Sequence, residues 1–209
     1  MTDLVIKPSN SDGSVKLQTE GGTNGLTMAS TGVLTTSGNV AVTGTVTGGT
    51  LGTGVTFPAG HVIQHAYNQT GAVDTGTTNF PEDDTIPQIT EGHEFLTQAI
   101  TPKQSTSTIS IEVHIFYSQS AGTRSGIGLF KDSNSDALAF TSNYIHGPTS
   151  MGSMQLFYAE TSGNTTARTY RVRCGLIQTS GTFTLNGQSG ARKFGGVALS
   201  TIRIMEIAG

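Results

Sequence analysis

Apolar and polar residues alternate along much of the chain, and this alternation predicts β-strands. Between Ile109 and Ile115 every second residue is aliphatic, and the same period returns between Tyr170 and Leu176. A period of two residues is typical of a strand with one buried face and one wetter face. We therefore expect one set of side chains to be buried: Ile111, Val113, Tyr170 and Val172. The charged set should face solvent or a neighbouring subunit: Glu112, Arg171 and Arg173.

Strand-like runs of this kind follow one another from residue 57 onward, separated by turns rich in Ser, Gly, Asn and Pro. The runs are 61–66, 94–100, 108–117, 126–131, 137–144, 154–159, 169–177, 182–186 and 197–207. No stretch has the 3.6-residue periodicity of an amphipathic helix. This pattern predicts an all-β fold, an antiparallel jelly-roll sandwich of two sheets.

Residues 21–56 have a different composition, dominated by Thr and Gly. No charged residue lies between Glu20 and Asp74, and every Phe and Tyr lies from Phe57 onward. Short Thr/Val strands separated by glycine cannot form a core alone, because they expose unpaired backbone edges. We expect three copies of the chain to intertwine here into a β-stalk. A flexible linker and a single-chain β-solenoid are the alternatives.

The sequence therefore divides into an N-terminal anchor (1–20), an extended β-stalk (21–56) and a C-terminal jelly-roll head (57–209). Charged residues make up only 12% of the chain and the net charge is -3, so we expect no nucleic-acid binding, which needs a basic excess. No apolar run is long enough to span a membrane, and the N-terminus lacks the pattern of a signal peptide. We expect neither membrane insertion nor export.

Two clusters contain residue types that bind metals. Glu82, Asp83 and Asp84 concentrate the carboxylate oxygens that Ca²⁺ prefers, but adjacent residues seldom converge on one ion, which favours a solvated loop. His61 and His65 would share one strand face, and about a threefold axis each could form a ring of transition-metal ligands. Histidines that are half-exposed or hydrogen-bonded are the favoured interpretation. We therefore expect no cofactor, with His61 and His65 as the alternative metal ligands.

Common catalytic motifs are missing from the sequence. The chain has no G-x-S-x-G, no G-x-x-x-x-G-K-[ST] and no H-E-x-x-H. Its one cysteine, Cys174, alternates with Val172 and Leu176, which favours a buried thiol over a nucleophile. We therefore expect a protein that is not an enzyme.

Several segments resemble fibre proteins of tailed bacteriophages. Residues 25–28 and 38–48 are similar to the stalks of such fibres, and residues 57–64, Phe-Pro-Ala-Gly-His-Val-Ile-Gln, are similar to the junction with their C-terminal head. The resemblance continues, especially to marine phages, through residues 100–111, 168–172, 180–186 and 200–207. It implies a homotrimeric structural protein of the virion, made in the host cytoplasm. The short segment before the stalk leaves mounting on the tail or on the capsid open.

The resemblance also implies a head that projects from the particle and adheres to the host surface. Binding residues on rigid sandwiches usually lie in loops, and the longer polar connections are 81–92, 143–154 and 187–192. These connections supply the receptor-binding candidates Glu82, Asp83, Asp84, Asn143, Tyr144, His146 and Gln188. A host-surface saccharide or protein is the expected receptor.

A second role fits the same sequence. The N-terminal segment is expected to bind other virion proteins, of the tail or of the capsid, by strand addition. A capsid decoration protein or head fibre, which mainly binds and stabilises the capsid, is therefore the alternative to the adhesive fibre.

Overall fold

The computed structural model describes residues 15–18, 24–28, 34–35, 57–148 and 150–209, and the chain forms two compact units, Met1–Val55 and Thr56–Gly209. In the first unit, strands β1 (Val15–Gln18), β2 (Asn24–Met28) and β3 (Leu34–Thr35) form an antiparallel sheet in that order. The expected boundary at residue 20 falls between the paired strands β1 and β2. The remainder of the expected anchor and stalk lies outside the described residues.

The second unit, the head, is built from strands and one turn of 3-10 helix, Phe194–Gly196, and its described residues contain no α-helix. Its strands are β4 (Val62–Thr70), β5 (Asp74–Gly76), β6 (His93–Ile100), β7 (Thr108–Gln119), β8 (Arg124–Lys131), β9 (Ala139–Tyr144), β10 (Met151–Thr161), β11 (Arg168–Leu176), β12 (Phe183–Leu185), β13 (Gly187–Gln188), β14 (Ala191–Arg192) and β15 (Ser200–Ile207).

Two antiparallel sheets form a jelly-roll sandwich. In the first sheet, β7 pairs along one side with β10 and along the other with β15 and β12, which continue to β4 and β5. The second sheet has the order β6-β11-β8-β9, and β13 and β14 form a separate hairpin. The predicted all-β class and jelly-roll architecture are confirmed.

The core lies between the two sheets and follows the predicted alternation. The expected core side chains are at most 2% exposed: Ile111, Val113, Tyr170 and Val172. Val172 of β11 lies opposite Leu96 of β6 and Leu129 of β8, and both leucines are also buried. The charged set is half-buried on the outer faces, where Arg203 pairs with Glu112, and Glu94 pairs with Arg171 and Arg173. The predicted faces are therefore correct.

Each of the nine predicted runs contains a strand, and the elements missed are short. β5 has three residues, two of them polar and one glycine, so it shows no alternation. The β13–β14 hairpin turns at Ser189 and Gly190, which have positive φ angles of 52° and 74°. Two consecutive residues with positive φ are typical of a two-residue hairpin turn. None of these strands has the apolar alternation that reveals the equally short β12.

Segment 79–92 covers part of the outer face of the second sheet. Phe80 of this segment is 1% exposed and packs edge-on against Phe140 of β9, with ring centroids 5.0 Å apart. Glycines in the sheet make this approach possible. A Cβ at Gly126 would collide with the ring of Phe140, and a Cβ at Gly175 would collide with the carbonyl oxygen of Thr78. The second sheet is therefore packed on both sides.

The sandwich has two ends, here called the base and the tip, and β7 runs from one to the other. At the base, Gly60 donates a backbone hydrogen bond to Ala208, and Ala208 donates one to His61, each 2.8 Å long. The first and last segments of the head therefore meet there. At the tip, Arg124 at the start of β8 lies opposite Tyr144 at the end of β9.

A buried carboxylate holds the base together. Glu206 of β15 is 0% exposed. It accepts hydrogen bonds from the backbone N–H groups of Lys103 (2.8 Å) and Gln104 (3.0 Å) and from the hydroxyl of Ser107 (2.6 Å). The side chain of Gln64 on β4 donates a further bond of 3.2 Å. Glu206 thus ties the β6–β7 loop to β15 and β4.

Candidate functional site

The outward side of the first sheet presents side chains from four adjacent strands. One row across the sheet contains Tyr67 of β4, Arg203 of β15, Glu112 of β7 and Phe157 of β10. The next row toward the tip contains Gln69, Thr201, His114 and Gln155. These two rows, together with Phe194 at their tip side, are called the aromatic face below.

The most exposed Phe and Tyr side chains of the described residues lie on this face. Phe157 is 65% exposed, and Tyr67 and Phe194 are each 61% exposed. Phe194 belongs to the same surface because its ring lies edge-on to Phe116, with centroids 6.2 Å apart, and Phe116 follows the same phase of β7 as Glu112. Exposed apolar groups concentrated on one side of a sheet mark a binding surface.

The two charged side chains of the aromatic face neutralise each other. Arg203 donates a hydrogen bond to the carboxylate of Glu112 in the middle of the row. A groove of about 330 Å³ lies between the two outer rings and is bordered by the amides of Gln69 and Gln155. The face therefore combines exposed rings with neutral hydrogen-bonding groups.

The sequence of β10 contains a signal for this face, although Phe157 is not among the predicted site residues. Met154 and Leu156 of β10 are only 5% and 4% exposed, so their phase of the strand points into the core. Phe157 therefore lies on the outward side of β10, where a strand normally carries polar residues. Tyr67 was missed for a different reason: β4 alternates between exposed and half-buried positions, but the half-buried ones hold Ala66, Asn68 and Thr70, so the strand has no apolar alternation in its sequence.

A buried polar network fixes the loop that presents Phe194. Asn186, which has φ 53°, donates hydrogen bonds to the carbonyl oxygens of Thr70 (2.8 Å) and Ala72 (3.0 Å). Its side-chain oxygen accepts a bond of 2.7 Å from Ser200 at the start of β15. Phe194 itself has φ 50°, a conformation that a non-glycine residue keeps only when its surroundings hold it. The exposed ring therefore sits on an ordered loop.

The predicted acidic candidates lie in segment 79–92. Glu82 forms an ion pair with Arg124 at the tip. The hydroxyl and backbone N–H of Thr85 donate hydrogen bonds to Asp83 and lower the pKa of that carboxyl. Asp83 and Asp84 border a shallow groove of about 460 Å³ whose other wall includes Phe140. The three carboxylates therefore have different surroundings and do not share one site.

The remaining loop candidates are divided between two regions. Asn143 and Tyr144 end β9 at the tip, and the ring of His146 lies edge-on to that of Tyr144, with centroids 4.9 Å apart. The structure thus brings Glu82 and this pair to the same end of the sandwich, because Arg124 is next to both. Gln188 lies in the β13–β14 hairpin, opposite Ala191.

The two histidines considered as metal ligands have aromatic neighbours. His61 precedes β4, stacks on Phe57 (centroids 6.1 Å apart) and lies 3.1 Å from the carbonyl oxygen of Pro58. His65 is exposed on β4 and stacks on Tyr67, with centroids 5.4 Å apart. Among the described residues, no group of three or more His, Cys, Asp or Glu side chains is arranged to hold a metal ion.

Two titratable side chains inside the sandwich, Cys174 and Glu160, are engaged in packing or in hydrogen bonds. Cys174 is buried in the core, and burial raises the pKa of its thiol. Burial would also raise the pKa of Glu160, but hydrogen bonds from Lys131 and Tyr170 and the charges of Lys131 and Arg168 lower it below its ordinary value. A protonated thiol is a poor nucleophile, and the carboxylate of Glu160 is fully engaged by its neighbours.

Fold and surface together define a jelly-roll sandwich with an exposed aromatic sheet face and polar loops at its tip. No protein-family model matches the chain, and no curated protein matches it. Among solved structures, the chain is similar to the Eiger TNF of S. frugiperda, with 13% identity, a TM-score of 0.44, and coverage of 71% of this chain and 94% of that one.

A second similar structure is the enzymatically active domain of tailspike protein 4 from bacteriophage CBA120. The identity is 17% and the TM-score 0.26, and the match covers 60% of this chain but only 19% of that one. With TM-scores this low, neither likeness carries information about function. The described residues include no helix long and apolar enough to cross a membrane.

Proposed function

We propose that the protein is a non-enzymatic structural protein of a tailed-phage virion, a homotrimeric fibre whose head adheres to the host surface. The observation that carries this proposal is the division of the head into a base and a tip. The segment that leads into the head and the C-terminus meet at the base through the Gly60–Ala208 pairing. Candidate binding residues Tyr144, His146 and Glu82 lie at the opposite end, as expected for a projecting head.

The polar loops at the tip present shallow surfaces, so we expect each single contact with the receptor to be weak. Tyr144 is 50% exposed, and such a ring can stack on the apolar side of a sugar or on a protein side chain. Three tips in one trimer would act together. Avidity of this kind multiplies affinity by about 10² to 10⁴ without new contacts, provided that the three sites can be engaged at once.

The test compares phage particles that carry tip variants with particles that carry a matched base variant. Tyr144→Ala combined with His146→Ala should lower adsorption to host cells several-fold and leave particle stability unchanged. Asn134→Ala, an exposed change in the turn between β8 and β9 at the base, should leave both unchanged. Normal adsorption of the tip variant would contradict adhesion by these residues.

Deletion of residues 58–209 separates adhesion from the capsid-stabilising alternative. Lost adsorption with sound capsids supports the fibre. Normal adsorption with fragile capsids would instead assign the protein to capsid decoration.

A further inference from the structure

We propose that the aromatic face is the surface through which copies of this chain associate in the head, with a second copy of the chain as its occupant. This inference rests on the proposed trimer and specifies which surface forms it. Copies would be arranged about a threefold axis with their aromatic faces turned inward.

Apolar exposure is the first observation behind this assignment. Phe157, Tyr67 and Phe194 are 61–65% exposed, more than any other Phe or Tyr in the described residues, and they lie on one side of one sheet. The centres of protein interfaces are enriched in such rings and depleted of unpaired charge. The two ends of segment 186–200, which carries Phe194, are tied together by the hydrogen bond between Ser200 and Asn186.

Charge is the second observation. Arg203 and Glu112 pair within each copy, and the neighbouring row contains no Asp, Glu, Lys or Arg. Acidic and basic side chains are therefore balanced on this face. Identical copies can approach it without like-charge repulsion, whereas a polyanionic or strongly cationic partner would find no complementary charge.

The asymmetry of the face is the third observation. In a ring of three copies, the contacts are head-to-tail. Each copy therefore uses one surface patch to contact the preceding copy and a different patch to contact the next. The aromatic face has two such sides, with Phe157 on β10 and Tyr67 on β4, separated by β7 and β15. Among the described strands β10 pairs only with β7, so the backbone groups on its other edge have no strand partner, although β9 of the second sheet packs near it. The Phe157 side of one copy would contact the Tyr67 side of the next.

Oxidative footprinting of the intact full-length chain tests this assignment, with mass measured by light scattering on the same sample. A trimer should have three times the chain mass of 21.7 kDa. In that trimer, hydroxyl radicals should oxidise Tyr67 and Phe157 several-fold less than Tyr144, although Tyr144 is less exposed in the single chain, at 50% against 61% and 65%.

Two variants provide the matched comparison. Phe157→Glu should restore oxidation of Tyr67 in the neighbouring copy, with the strand content measured by circular dichroism unchanged. Tyr144→Glu introduces the same charge at another exposed ring, away from the face, and should leave the protection of Tyr67 intact.

The outcomes separate this inference from the proposed function. A monomeric mass would overturn the trimer and this interface with it. A trimeric mass with Tyr67 and Phe157 oxidised as readily as Tyr144 would overturn only the interface. Protection that arises only after a host-surface saccharide is added would assign the face to that ligand and would equally overturn self-association.

Discussion

Two buried tyrosines differ in how their hydroxyl groups are hydrogen-bonded. Tyr170 and Tyr117 are both 0% exposed. The hydroxyl of Tyr170 donates a hydrogen bond of 2.5 Å to Glu160, whereas that of Tyr117 makes no hydrogen bond of ordinary geometry and has only the side chain of Asn143 close enough to act on its pKa. Burial, with the nearby Cys174, raises the pKa of Tyr117 to about 12. The two side chains therefore contribute differently to stability.

Removing each hydroxyl should change the free energy of unfolding by a different amount. Tyr170→Phe should lower the free energy of unfolding by about 1.5 to 3 kcal/mol, because a charge-assisted hydrogen bond is lost and Glu160 loses a donor. Tyr117→Phe should lower it by less, because the hydroxyl that is removed makes no hydrogen bond of ordinary geometry. Denaturant unfolding of both variants measures the difference. Equal losses in the two variants would contradict it.

The lowered pKa of Glu160 makes stability depend on pH. Its side chain is 15% exposed and forms ion pairs with Lys131 at 2.8 Å and with Arg168 at 3.6 Å. Because its pKa in the folded protein is below the ordinary 4.5, its contribution is present above 4.5 and is lost as the pH falls through the folded value.

Glu160→Gln should therefore melt at a lower temperature than the unmodified protein near neutral pH. The gap between the two melting temperatures should narrow as the pH falls below 4.5. Asp84→Asn, at an exposed position, serves as the control and should leave the pH profile unchanged. A gap that stays constant with pH would show that the charge of Glu160 is not responsible.

At the residue scale, the sequence predicted which side chains are buried but not which hydrogen-bond partners they have. The alternation around Tyr170 and Val113 depends only on residue types, so the buried faces could be read directly. The partner of Tyr170, Glu160, is on β10 of the other sheet, and the packing of the two sheets on each other brings the two side chains together. Nothing in the sequence next to Tyr117 indicates that its hydroxyl lacks such a partner.

At the scale of elements, Glu206 acts as a clamp between strands and loop. Its carboxylate is bonded to backbone N–H groups of the β6–β7 loop and to Ser107 while it lies on β15. This loop borders the base, where the head begins and ends. Order at the base therefore depends on one buried side chain.

Glu206→Gln should destabilise the head by about 1 to 3 kcal/mol, because an amide NH₂ replaces an oxygen that accepts these bonds. Hydrogen exchange should show faster opening at Lys103 and Gln104 than at the tip. Asp84→Asn removes an exposed carboxylate and should have no such effect. Unchanged exchange at Lys103 and Gln104 would mean that the loop is held by its other contacts.

The nine predicted strands were found because each shows apolar alternation or a β-rich composition. Sheet order was not accessible in the same way. β15 pairs with both β4 and β7, and such pairing depends on the packing of the whole chain. The aromatic face was missed for the same reason, since Tyr67, Glu112, Phe157 and Arg203 come from four strands and form no local motif.

At the scale of the whole molecule, the two sheets depend on one shared core. Val172 lies in the middle of this core, 0% exposed, on a strand paired on both sides. The outer layer formed by segment 79–92 rests on the same sheet. Loss of the core should therefore remove the base, the tip and the aromatic face together.

Val172→Asp tests this dependence. An unpaired carboxylate in the core costs about 3 to 5 kcal/mol, a large part of the roughly 5 to 15 kcal/mol that stabilises a typical domain. The variant should therefore unfold the head or lower its melting temperature sharply, as measured by circular dichroism. Ser142→Asp adds the same charge at an exposed position of β9 and should leave the melting temperature unchanged. If the Val172 variant melted like the Ser142 variant, the buried face of β11 would be wrongly assigned, and the two sheets would not share the core described for them.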